Sequence, residues 1–154
     1  MRNLNLTGVP STVITQLYNE VLWRWEKELR DKGFSIRSKG FNAYRRSYPI
    51  SIVSVDTLPI TKIKFDEYKS ILRHEEKNIF IFYNAYDSQA KSIFFHLRNA
   101  IAHAHIERLR IGKTNYYYFE GNKQNAAHKE RMKGQIKASI LKEFITALLL
   151  TAKD

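Results

Sequence analysis

The sequence predicts a mainly α protein, a helical bundle of four to five helices with a small β-hairpin at about 106–119 before the last helix. Three observations predict it. Apolar residues recur every three or four positions in the first, central and final stretches. Gly and Pro interrupt that periodicity between the stretches. One turn late in the chain joins two β-favouring runs. At 154 residues and 44% hydrophobic content the chain can bury one core, so 1–154 reads as a single domain.

The first helix starts near Ser11, where Ile14, Leu17, Tyr18, Val21, Trp25 and Leu29 share a face, and Gly33 stops it. From Phe34 to Phe65 the pattern degrades around Gly40, Pro49 and Pro59 into a stretch that is mostly loop, with Ser51 to Val55 alternating like a short strand. Tyr68, Ile71, Leu72, Ile79, Phe82 and Tyr83 return to helical spacing, against the β preference of the run Ile79 to Tyr83. Asp87 or Ser88 can cap a third helix whose apolar stripe is Ile93, Leu97, Ala100, Ile101 and Ala104. Ile106–Ile111 and Tyr116–Phe119 flank Gly112–Asn115 as a hairpin. Ile136, Ile140, Phe144 and Leu148, four apart, define a closing helix that ends near Thr151.

Charge and composition narrow the partners. Lys and Arg number 26 against 15 acidic residues, a net +11, which favours a polyanion such as RNA or DNA, or an anionic membrane surface. The basic residues are not concentrated on one amphipathic helix, which weighs against the membrane surface. No cysteine is present, so neither a disulfide framework nor a thiolate zinc site can form. No apolar run spans a bilayer and none resembles an export segment, so the expectation is a cytoplasmic protein.

The third helix carries the chemistry-bearing run Phe94–Glu107, FFHLRNAIAHAHIE, containing Arg-Asn-x-x-x-His. With the apolar stripe turned inward, Arg98, Asn99, Ala102 and His103 spread over the opposite side. Arg98 and His103 lie about 140° apart around one helix axis, so a helix–helix dimer, pairing two copies of each, would complete a polar cleft between them. A structural alternative is that Arg98 pairs with a carboxylate while His103 joins a hydrogen-bond network.

Arg-x4-His with Asn after the Arg, followed by an aromatic hairpin and a closing helix, resembles the HEPN superfamily of ribonucleases and toxins over roughly residues 11–151. The resemblance implies an HEPN-like bundle and a metal-independent endoribonuclease that works as a homodimer with a composite active site, in toxin–antitoxin or anti-phage defence, with an antitoxin protein as a possible partner. It implies no cofactor and no metal. In such cleavage the ribose 2′-hydroxyl attacks the adjacent phosphate, so the site requires proton transfer and a cation. His103 suits the first role and Arg98 the second, with Asn99 orienting the phosphate. The alternative is a non-catalytic HEPN-like module that binds RNA, a nucleotide or a partner protein.

Some toxin members carry Tyr two residues after the motif His; this sequence has His105 there, which leaves control by tyrosine modification in doubt. His105 shares the helical face of Arg98 and either assists phosphate binding or is a solvated imidazole. His96, seven residues before His103, could meet it on the same stripe, but reads rather as a polar residue of the helix surface. The angular spread of His96, His103 and His105 on one helix argues against metal binding. Arg108, Arg110 and Lys113, just beyond the motif, are the better candidates for tracking a phosphate backbone; Arg37, Lys39, Arg45 and Arg46 form a second basic set. Tyr116 to Phe119 could stack bases, but strand alternation buries at least one pair.

Overall fold

The protein is described from a computed structural model over residues 4–34, 46–47, 50–55, 59–72, 77–122 and 130–152. Its frame is a five-stranded mixed sheet with helices against it. In chain order the elements are α1 (Ser11–Leu17), continued by π-wound turns over Tyr18–Trp23 and Trp25–Leu29, β1 (Ile50–Val55), α2 (Lys62–Ser70) and β2 (Asn78–Tyr83). Then come α3 (Gln89–Ala102), β3 (Ile106–Ile111), β4 (Thr114–Asn122), β5 (Glu130–Lys137), a 3₁₀ turn (Ala138–Ile140) and α4 (Leu141–Leu149). The strand order is β1-β2-β5-β4-β3, with β1 and β2 parallel and every other neighbour antiparallel.

This architecture corrects the mainly α expectation. The run Ile79–Tyr83, spaced like a helix, is β2, buried in the sheet: its aromatic and β-branched residues fill both faces, Phe80 and Phe82 one way and Ile79 and Ile81 the other. Ile136 belongs to β5 rather than to the closing helix, which begins only at Ala138. The hairpin exists, but β3 and β4 are two strands of the larger sheet, and β5 stands between them and α4.

Helices α1, α3 and α4 cover one face of the sheet over a core containing Trp25, Phe80, Phe94, Phe119, Met132 and Phe144. Burying each large side chain there contributes on the order of 2–3 kcal/mol. The other face carries a smaller cluster, where Leu4, Ile60 and Phe65 pack on Ile79, Ile81 and Tyr118. Gly134 in β5 sits where a Cβ would lie 2.2 Å from the Phe80 ring, so the central strand admits no side chain at that point. The edge strand β3 is partly closed by the amino-terminal segment, since Thr7 bridges Glu107 in parallel and its carbonyl accepts from the Arg108 N–H at 2.8 Å.

The π winding of the first helix positions the site. In an α-helix, residues four apart drift by about 40° per step, so Leu17, Val21, Trp25 and Leu29 would spiral off a common face. Wider turns, seen where the Arg30 N–H bonds the Trp25 carbonyl, keep all four buried. Trp25 then packs against Phe94 and Phe95 of α3, at 6.0 and 5.5 Å between ring centroids, and Glu26 comes to face α3 beside it.

Candidate functional site at the carboxyl end of α3

Ser88 caps α3, its side chain accepting from the Lys91 N–H. The stripe Ile93, Leu97, Ala100 and Ile101 is buried against the core, while Arg98 and Asn99 are half-buried and Ala102 and His103 exposed. The helix ends in a Schellman turn: the Ala104 N–H bonds the Ile101 carbonyl at 3.2 Å and the His105 N–H bonds the Ala100 carbonyl at 2.8 Å. Ala104 is left-handed, φ +57°, a conformation usually given to glycine. His103 is the C-cap residue, between Ala102, the last helical residue, and that reversal.

Arg98 does not project freely. Its Nε donates to Glu26 Oε1 at 2.8 Å, its Nη2 contacts the same oxygen, and its Nη1 donates to Asn99 Oδ1 at 2.8 Å. Arg30 also approaches Glu26, at 3.5 Å from its other oxygen. The guanidinium is thus oriented by one carboxylate and one amide, both still partly open to water. Sequence reasoning allowed a carboxylate partner for Arg98 but did not identify it. The available signal was that Glu26 follows Trp25, a residue of the buried face.

His105 starts the run into β3, where its carbonyl accepts from the Glu120 N–H at 3.0 Å. Its ring lies 5.9 Å from that of His103, the planes inclined by 34°. Its Nδ1 is shut off from solvent without a hydrogen-bond partner. Burial first, and the charge of His103 second, hold the His105 imidazole below the usual histidine range, against the opposite pull of the Glu120 carboxylate and backbone. Because the helix reverses at Ala104, the helical face assumed for Arg98 and His105 does not continue to His105.

His96 is a further correction. It is buried, not on the helix surface, with Nε2 2.7 Å from the Tyr83 carbonyl and Phe82 and Phe95 beside it. Desolvation pushes it down to about 4, so it stays neutral near pH 7. Its place three residues after Ile93 and four before Ala100 puts it on the inward side of the helix.

Of the basic set beyond the motif, Arg108, Arg110 and Lys113 are all exposed, on β3 and its turn. In the other set Arg46 is exposed, and Arg37, Lys39 and Arg45 lie outside the described residues. Tyr116, Tyr117, Tyr118 and Phe119 are all buried, so this run is packing and offers no open platform for bases. Among the described residues no group of three or more His, Asp or Glu side chains is placed to hold a metal ion. No described helix is long and apolar enough to cross a membrane.

Arg98, Asn99 and His103 thus lie together on the last turn and cap of α3, the first two half-buried and the third exposed. The chain belongs to the HEPN superfamily: the family model described as HEPN pEK499 p136 matches residues 13–153. No curated protein and no solved structure shows significant similarity to it.

Proposed function

We propose that this HEPN domain is a metal-independent endoribonuclease, assembled as a homodimer with a composite site, and that it acts in toxin–antitoxin or anti-phage defence. The observation that supports the reading is the pairing, on one exposed helix end, of an oriented guanidinium with a solvent-reachable imidazole. Arg98 would contact phosphate oxygens and stabilise the charge of the phosphorane, where one placed donor contributes about 3 kcal/mol. His103 would transfer a proton, and Asn99, holding Nη1 of Arg98, would orient it. Arg108, Arg110 and Lys113 would attract the RNA backbone.

RNA cleavage in the presence of chelator by wild type, Arg98→Ala and His103→Ala tests the proposal. Wild type should cleave, and each variant should lose a hundredfold or more while keeping its circular-dichroism spectrum. Full activity in either variant would sink the assignment. A second reading, a module that binds RNA, a nucleotide or a partner protein without cutting, is favoured by the engagement of Arg98 with Glu26. Wild type that binds RNA at low salt and leaves it intact would establish that second reading.

A further inference from the structure

Resting on the ribonuclease reading above, we propose that one subunit supplies both proton-transfer groups, His105 as general base and His103 as general acid. The juxtaposition comes from the turn. In a continuing helix residues two apart would point about 200° away from each other. The Schellman reversal through left-handed Ala104 instead brings the two rings to 5.9 Å, tilted by 34°. The Glu120 N–H, donating to the His105 carbonyl at 3.0 Å, pins the outgoing chain to β4, so the pair sits on a fixed corner.

The two imidazoles differ in the way the reaction requires. His103 is exposed to water. His105 is half-buried, and its environment disfavours the charged form. Glu120 on β4 opposes that effect, but its carboxylate is engaged by buried Lys133 of β5 at 3.5 Å. Buried Glu107 lies in β3, two residues after His105, and His103 faces His105 across the turn.

In the step itself, neutral His105 takes the proton of the ribose 2′-hydroxyl. The 2′-oxygen forms a bond to phosphorus as the bond from phosphorus to O5′ breaks, and protonated His103 gives its proton to O5′. The products are a 2′,3′-cyclic phosphate and a 5′-hydroxyl. His105 is left protonated and His103 neutral, and exchange with water restores both.

The test compares an RNA containing one cleavable linkage with the same RNA carrying sulfur in place of O5′, both in chelator. A thiolate leaves without being protonated, so the sulfur substrate removes the need for a general acid. His103→Ala should lose a hundredfold or more on oxygen RNA and recover to within about tenfold of wild type on sulfur RNA. His105→Gln should lose a hundredfold or more on both. Wild type supplies a check independent of any variant: its rate should rise and then fall with pH on oxygen RNA, and on sulfur RNA the alkaline fall should vanish while the acidic limb stays. Rescue of both variants, rescue of neither, or His105→Gln within about threefold of wild type on oxygen RNA would overturn the assignment. If His103→Ala is inactive and His105→Gln nearly normal, the ribonuclease reading stands and only the base is wrong. If wild type cuts neither RNA, both fall.

Discussion

Glu26 and Arg98, separated by 72 residues in the chain, meet because the π-wound first helix keeps Trp25 packed on Phe94 and Phe95. One carboxylate oxygen receives two donors of the guanidinium, and the third is held by Asn99. In a double-mutant cycle with Glu26→Ala and Arg98→Ala, urea unfolding should give a coupling of about 0.5–1 kcal/mol, because both side chains remain partly solvated. Additive losses would show that the pair contributes nothing to stability.

His96 gives the protein an acid sensitivity. With its folded-state value lowered from 6.5 to about 4, the unfolded chain binds the proton more readily, so stability rises with pH between those values. It is lost as pH falls from 6.5, by on the order of 3 kcal/mol once pH is below 4. His96→Gln cannot titrate, so its stability measured against wild type should improve steadily from pH 7 to pH 4.5. Parallel curves for the two proteins would exclude the effect.

Ala104→Gly should raise stability by about 0.5–1 kcal/mol, since a left-handed φ of +57° penalises any side chain while the turn's hydrogen bonds remain. Ala104→Val should lower it by more than the glycine raises it. Thermal midpoints of the three proteins decide the order.

Gly134→Ala should destabilise by about 1–3 kcal/mol, because the added methyl would fall 2.2 Å from the buried Phe80 ring in the middle of the sheet. Combining it with Phe80→Leu should recover part of the loss, measurable by denaturant titration.

Replacing Arg108, Arg110 and Lys113 together by Ser should weaken binding to single-stranded RNA of any sequence and reduce the salt dependence. The slope of log affinity against log salt should shrink by about 2, at about 0.7 for each cation that contacts a phosphate. An unchanged slope would mean that RNA does not run along β3.

The site helix was legible in sequence because its chemistry and packing stripes separate cleanly at 3.6 residues per turn, and so was the first helix, whose apolar residues mark one face. The sheet was less legible. Ile79–Tyr83 is buried on both faces, and a continuous apolar run carries no period of two to distinguish it from a helix. In β5, Met132, Gly134 and Ile136 alternate with Lys133 and Gln135, but the charged and amide side chains that form the second face are themselves buried, partnered by Glu120, Glu130 and Lys77. Hidden charge of this kind reads as loop in a sequence. His105 was placed on the wrong face because nothing in Ala-His-Ala-His announces that the second alanine adopts a glycine conformation.

The position of β5 has a consequence for synthesis on the ribosome. It lies between β2 and β4 yet is the last strand to emerge, so until Glu130–Lys137 is made the sheet exists only as two unjoined halves. The nascent chain therefore holds open two hydrogen-bonding edges and the apolar faces of Phe80 and Phe119. Completing the sheet requires that strand to enter between β2 and β4, with Gly134 against the Phe80 ring.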